Sequence, residues 1–494
     1  MAHIAEPCIE GGVADRVTPA MLARSSAAYA RVLTEDHDLV PGMPVLFRAA
    51  NSPALMAAML GALRAGAVLA PTVPQLSGAE LSEILTRINP GLVIADDPDD
   101  QALVTALDAV PARPAVLALS GGGDSLQHRA AGLGGTSISD VRMHRDDPAL
   151  VLFTSGTTGR AKAVAHSHGD ILTVADSFGR HIFRAGPGDI VTGTPSLAFA
   201  YGFGLLLVTP LAAGAAVAFP GGRGMDALRE TLAGSGATML VTAPTAYRKL
   251  LETREPLHLP ALRRCFSAGE PLAAATRTDW RARTGLEIVD LLGSTEMLGP
   301  YVSAPEEEQR SGVVGRAVPG YELKILGREG QALPSGEAGR LAVRGPTGGV
   351  YLDADMQTSN PVDGWTVTGD VCLMDSEGYV QCLGRADDIV VSSGYNISTV
   401  EVENVLVAHP DVAECAATGL PDALHGRVLA IAVALHTPLS SPEEMQAFLL
   451  NYLQARLAAF KLPRRFVFVD VLPRTASGKI RRADLPGLFS HDVE

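Results

Sequence analysis

Residues 150–162 read Leu-Val-Leu-Phe-Thr-Ser-Gly-Thr-Thr-Gly-Arg-Ala-Lys, an apolar run that opens into hydroxyls, glycines and two cations. The run reads as a buried strand. Gly156 and Gly159 let the following backbone turn its N–H groups toward one point. Thr154, Ser155, Thr157 and Thr158 add hydroxyl donors, and Lys162 adds a charge. A nest of that composition binds phosphate oxygens. No Gly-Lys-Ser/Thr follows at Walker A spacing. A Ser/Thr/Gly stretch standing alone also serves as a plain turn, so its meaning depends on the motifs that accompany it.

At 494 residues the chain is too long for a single core, and two or more domains are expected. Hydrophobic content of 47% against 19% charged residues belongs to a folded chain. A formal net charge of −14 argues against a general nucleic-acid binder or a ligand of anionic membranes. An anionic small substrate stays open, because a site's local field can oppose the net charge. Cys8, Cys265, Cys372, Cys382 and Cys415 are scattered, with no CxxC or Cys/His cluster. Neither a zinc site nor a disulfide framework is expected, and buried thiols in a reducing cytoplasm fit better. Residues 1–10 show no basic region followed by an apolar core, so no secretory signal is expected. The uncharged stretch 197–219 is long enough to span a bilayer. It carries Gly202, Gly204, Pro210 and Gly214 and lacks basic anchors, which suits a buried helix, turn and strand. Lysine occurs only at 162, 249, 324, 461 and 479 in a chain rich in arginine. A compact charge on a flexible stem suits a mobile phosphate.

Apolar runs at 45–47, 67–71, 92–95 and 115–118 alternate with helix-like spacing such as 54–65, which predicts a largely parallel sheet with helices packed on it. Residues 20–33 read as the first helix and 120–139 as a surface loop. The alternation resumes at 216–219, 239–241 and 287–292. From Gly315 to Gly384 short strands with glycine turns predict a small antiparallel subdomain. The last hundred residues read as a separate α+β unit: Ser398 with Glu401 and Ser441 with Glu444 fit capping boxes, Pro442 suits a first helical position, and 428–435 is a buried strand. The predicted class is therefore α/β: a large N-terminal domain of layered sheets (1–386) with a small β subdomain, then a mobile α+β lid (387–494).

Four further motifs follow the first in order: Leu292-Gly293-Ser294-Thr295-Glu296, Trp365 through Thr368-Gly369-Asp370, Gly384-Arg385-Ala386-Asp387-Asp388, and Pro473 through Ser477-Gly478-Lys479 to Arg482. Together with the first loop they resemble the adenylate-forming superfamily of acyl- and aryl-CoA ligases, luciferases and peptide-synthetase adenylation domains, over 39–482. The lead-in usual before the first helix is missing. Phe199-Ala200-Tyr201-Gly202, Gly293 to Leu298, and Ser392 to Ile397 resemble benzoate-CoA and 2-aminobenzoate-CoA ligases in particular. Val391 stands where the commoner pattern has a lysine.

The resemblance implies roles. Thr154 to Gly159 and Lys162 would hold pyrophosphate. Glu296 would hold Mg²⁺ on triphosphate oxygens, with Thr295 donating to a phosphate. Asp370 would bind both ribose hydroxyls, for which acceptor-only oxygens are suited, and Arg385 would add a second sugar contact. Gly269, Glu270 and Asp290 complete the expected ATP site. The acid pocket would comprise Phe199, Ala200, Tyr201, Gly202, Ser267, Ala268, Leu292, Gly293 and Ser294. Small residues there leave room for a flat ring, with Tyr201 as an aromatic wall. Asp387 would be the hinge, and Ser393-Gly394 would border a pantetheine channel. Lys479 would bridge the acid and the α-phosphate. His166 and His168 suggest a metal site, but with no third ligand nearby they read as structural residues at a helix entrance.

The implied reaction is two-step: ATP and a carboxylic acid give an acyl-adenylate and pyrophosphate, then coenzyme A takes the acyl group and AMP leaves. An aromatic acid is favoured over an aliphatic one. Transfer to a carrier protein or a non-thiol acceptor is the enzymatic alternative. A nucleotide-binding regulator is the non-enzymatic one, and Glu296, Asp370, Arg385 and Lys479 together count against it.

Overall fold

The computed structural model describes residues 16–121, 123–131, 133, 140–155, 161–222, 224–253, 257–352, 364–386, 389–392, 395–422, 426–437, 441–475 and 478–489. Two large sheets carry the N-terminal part. One runs in the order Val350–Tyr351, Ala161–Ser167, Pro148–Ser155, Val68–Thr72, Pro44–Arg48, Leu92–Ala95, Ala115–Ala118. From Pro148–Ser155 onward its neighbours are parallel, while the first two strands join antiparallel. Parallel strands covered on both faces read as unbroken apolar runs, and Val68–Thr72 and Leu92–Ala95 are buried at every position.

The second large sheet has a parallel centre, Ala216–Ala218, Ile190–Gly193, Met239–Thr242, Arg264–Ser267 and Ile288–Gly293. The two sheets share one core: Val45, Phe47, Leu69 and Leu152 from the first belong to the same buried cluster as Val191, Val241, Phe266 and Val289 from the second, together with Leu55, Met56 and Met59 of the helix Pro53–Arg64. That helix begins on Ser52, whose hydroxyl accepts from the Leu55 N–H, with Pro53 at its first position. Residues 197–219 form the expected buried helix, turn and strand, the helix widening to a π pitch over Phe203–Val208. Among the described residues no helix is long and apolar enough to cross a membrane.

A four-stranded antiparallel sheet, Glu322–Leu326, Gly339–Arg344, Thr366–Met374 and Val380–Arg385, is the small subdomain. The C-terminal domain is separate and has its own core, in which Val402, Leu406, Ile431, Leu449 and Phe466 pack together. Its central strand Gly426–Leu435 pairs antiparallel with Val412–Asp422 and parallel with Arg465–Phe468.

Four expectations need amendment. The predicted loop 120–139 holds a short helix, Leu126–Ala131, begun by the Ser125 hydroxyl accepting from the His128 N–H. Not all of 315–384 stays in the subdomain: Arg316–Ala317 extends the second large sheet, and Val350–Tyr351 crosses to the edge of the first. Each of these strands is only two residues long, so it follows whichever edge offers unpaired backbone groups. The capping boxes are half-formed. Ser398 and Ser441 accept from the N–H groups of Glu401 and Glu444, but the Glu401 carboxylate is taken by Lys461 Nζ, at 2.6 and 2.7 Å. Finally, among the described cysteines Cys265, Cys372 and Cys415 are buried free thiols as expected, whereas Cys382 is half-buried and faces Cys372 across the sheet.

Candidate active site

The first motif is a β-hairpin. Pro148–Ser155 pairs with Ala161–Ser167 so that Thr154 stands opposite Lys162 and Ser155 opposite Ala161. Gly156, Thr157, Thr158 and Gly159 lie outside the described residues. The Lys162 ammonium sits 5.7 Å from the centre of the Tyr351 ring, inside cation–π range.

Ile288–Gly293 carries the second motif to its strand end, where Ser294 leads into a single turn, Thr295–Met297. Contacts from distant segments fix that turn, one of them the Thr347 hydroxyl donating to the Met297 carbonyl at 2.8 Å. His166 Nε2 donates to the Thr295 carbonyl at 2.8 Å, and the Gly349 N–H donates to the Glu296 carbonyl at 2.6 Å. The Tyr351 hydroxyl donates to Glu296 Oε1 at 2.5 Å. Burial and the Glu296 carboxylate push the Tyr351 pKa well up, so its proton stays in that bond. His166 is thus the structural residue expected, but its partner is the backbone under Glu296. Among the described residues no cluster of three or more metal-ligating side chains occurs.

Asp370 and Arg385 face one another in register across the subdomain sheet, with Nη1 3.4 Å from Oδ1. Gly369 makes this possible, because a Cβ there would fall 2.1 Å from Arg385 Nη2. Burial raises the Asp370 pKa against the opposing pull of Arg385.

Lys479 reaches this group from the C-terminal domain. Its Cε lies 3.7 Å from where a Cβ on Gly269 would stand. Water reaches the side chain, yet the cleft walls desolvate the ammonium and lower its pKa, while Glu270 and Asp370 oppose that shift. Glu270 is itself held by Thr245, whose Oγ1 and N–H donate at 2.6 and 3.2 Å. The fold therefore brings Lys479, Glu270, Asp370 and Arg385 into one electrostatic neighbourhood, and the Glu296 charge acts on Arg385 there.

Ala200 and Gly202 are buried, and Phe199 precedes their short helix. The Tyr201 hydroxyl donates to the carbonyls of Thr242 and Phe266, at 3.0 and 3.2 Å, at the ends of two parallel strands. Ser267 and Ala268 are buried at the end of Arg264–Ser267, and the Ser267 hydroxyl has no partner among the described residues. Leu292 and Ser294 are half-buried and Gly293 is exposed. Asp290, like Asp370, is enclosed, and desolvation raises its pKa to about 7 in spite of Arg277. Asp387, Ser393 and Gly394 lie outside the described residues.

Tyr351, His166 and Thr245 belong to this arrangement, and motif reading did not single them out for it. Their partners lie 25 to 129 residues away in the chain, beyond any local pattern.

An AMP-binding enzyme family model matches residues 4–351, and the model of the C-terminal domain of AMP-binding enzymes matches 401–479. The chain belongs to the AMP-binding enzyme family. This AMP-binding enzyme is 32% identical to a benzoate–CoA ligase of Thauera aromatica, over 86% of the chain and 82% of that protein. It is 30% identical to a mitochondrial acyl-coenzyme A synthetase of Mus musculus, over 93% and 82%. Among solved structures it resembles an anthranilate CoA ligase in complex with anthranoyl-AMP, with TM-score 0.88, 28% identity and coverage of 95% and 91%. A benzoate CoA ligase from Burkholderia xenovorans LB400 superposes with TM-score 0.86 at 30% identity, covering 94% of each chain. The chain's class is that of the AMP-forming acid–thiol ligases.

Proposed function

We propose that this AMP-binding enzyme activates an aromatic carboxylic acid of the benzoate or aminobenzoate type with ATP and passes the acyl group to coenzyme A. The observation that carries the reading is the seat of Lys479 beside Gly269, in the charge field of Glu270, Asp370 and Arg385. A flexible cation from one domain, standing over the carboxylates of another, can neutralise charge as an acid attacks the α-phosphorus, and preorganised charge is the main catalytic resource for such transfers. Thr154 and Lys162 on the hairpin face the departing pyrophosphate. Asp370 accepts from the ribose hydroxyls, with Arg385 alongside. Mg²⁺ fits the donor set, because it is commonly held by one or two carboxylates together with substrate phosphates. Glu296 would hold it, and when bound it would neutralise the triphosphate oxygens.

In this reading the boundary falls at 386/387. Rotation about Asp387 withdraws Lys479 and admits the thiol beside Ser393-Gly394. The sulfur attacks the acyl carbonyl of the mixed anhydride, and AMP departs with the bonding electrons. The relatives' names, benzoate–CoA ligase and anthranilate CoA ligase, support both an aromatic acid and CoA over a carrier protein. The test is acid-dependent pyrophosphate exchange without CoA over a panel of benzoates, cinnamates and short fatty acids, followed by mass spectrometry of the product with CoA. Exchange with benzoates and a benzoyl-type thioester are expected. Preference for a fatty acid would overturn the acid assignment, and accumulation of adenylate with CoA ignored would overturn the acceptor.

A further inference from the structure

Lys479 rides on a small hairpin closed at its base by the Arg481 N–H, which donates to the Pro473 carbonyl at 2.8 Å. Arg474 and Ile480 form a single bridge. Thr475 N–H donates to the Lys479 carbonyl at 2.7 Å and Gly478 N–H to the Thr475 carbonyl at 2.9 Å. Gly478, immediately before the lysine, stands at φ +85°, a conformation open mainly to glycine. Among the described residues, the Arg474 side chain braces this loop. Arg474 Nη1 donates to the Gly478 carbonyl at 2.6 Å, while its Nη2 reaches both Glu414 oxygens at 2.5 Å. Glu414 lies on Val412–Asp422, which pairs with Gly426–Leu435 along the spine of the C-terminal sheet. Arg474 and Glu414 are both largely withdrawn from water, with side chains 27% and 21% exposed.

We infer that Arg474 is a positioning residue for Lys479, a strut that runs from the sheet through Glu414 to the peptide joining Gly478 and Lys479. A guanidinium suits this task, because separate nitrogens donate to a carbonyl and a carboxylate from one rigid plane. The ammonium of a lysine is a single donor point without the fixed fork of a guanidinium. The inference rests on the reading of Lys479 given above. Where a group must meet reacting atoms, a displacement of about 1 Å from a change away from the chemistry can cost ~10²-fold.

The test compares the full-length enzyme with Arg474→Ala, Arg474→Lys, Lys479→Ala and the Arg474→Ala/Lys479→Ala double variant. Pyrophosphate release reports adenylation, and CoA added to supplied benzoyl-adenylate reports the second step. Arg474→Ala is expected to lower the adenylation kcat by ~10²-fold with little change in the KM for ATP. The thioester step should keep its wild-type rate, and Arg474→Lys should recover little. The double variant should be no slower than Lys479→Ala, because the strut acts only through that lysine. Wild-type adenylation in Arg474→Ala, equal loss in both steps, or a further loss on top of Lys479→Ala would each overturn the strut. Full adenylation in Lys479→Ala would instead defeat the reading on which the strut depends. If Arg474→Ala does not fold, Glu414→Gln loosens the same fork at constant size and is expected to show the same split between steps.

Discussion

The Tyr351 hydroxyl donates a 2.5 Å hydrogen bond to Oε1 of Glu296, joining a residue at a sheet edge to one in the turn that follows a parallel strand. A bond to a carboxylate is stronger than one between neutral groups, and its geometry leaves the second oxygen to point elsewhere. Tyr351→Phe is expected to leave the ring in place and let the carboxylate swing. A hydrogen bond to a charged group is worth about 1.5–3 kcal/mol, or roughly ten- to a hundredfold in rate if all of it serves the transition state. The checks are adenylation rate against Mg²⁺ concentration and Mn²⁺ binding by electron paramagnetic resonance. Glu296→Gln should be worse, ~10²–10³-fold, and a Tyr351→Phe variant with unaltered rate and Mg²⁺ dependence would reduce the contact to packing.

Lys479→Ala should cut adenylation to a small residual rate, keep the melting temperature, and spare thioester formation from a supplied adenylate. The pH dependence follows from the lowered pKa of the ammonium, caused first by desolvation in the cleft. The protonated form is the one that neutralises charge. The alkaline limb of adenylation should therefore lie below the ordinary lysine value, and the thioester step should lack that limb. A limb shared by both steps would assign it to another group.

Asp290 gives a prediction for stability. Its folded pKa is about 7 against an ordinary 3.8, raised by enclosure. A raised pKa means that the folded state binds the proton more tightly than the unfolded chain does. Its contribution is therefore fully present below pH ~4 and is lost as pH rises through ~7. Asp290→Asn retains an oxygen for the Leu291 N–H, which now donates to Oδ1 at 3.1 Å. Thermal melts should find the variant more stable than the wild type at pH 8 and equal to it at pH 4. Parallel curves across that range would show that the carboxyl titrates normally.

Ala200 is buried at the start of the helix that also carries Tyr201. Enlarging it to Phe should overpack the pocket by roughly 1–3 kcal/mol, one to two decades in kcat/KM for aryl acids. Binding of ATP, measured by calorimetry without acid, should be unchanged because the nucleotide contacts come from other segments. Unaltered acid selectivity would place the pocket elsewhere.

The features legible in the amino-acid sequence are those that depend on neighbours in the chain. Unbroken apolar runs marked the parallel strands 45–47 and 92–95, helix-like spacing marked the helix over 54–65, and five motifs in order pointed to one family. The tertiary structure decided what depends on distant partners. Tyr351 reads locally as part of the antiparallel subdomain, yet its two-residue strand pairs with Ala165 and Val164 and so reaches Glu296. His166 reads as a helix-entrance residue, but the carbonyl it supports belongs to Thr295, 129 positions away. Arg474 precedes an expected catalytic lysine, and only the sheet places Glu414, 60 positions earlier, within its reach. Local periodicity records which face of an element is apolar. It carries no information about which distant hydrogen-bond donor will meet a given acceptor, because that pairing is set when separate cores pack and the remaining polar groups must find partners.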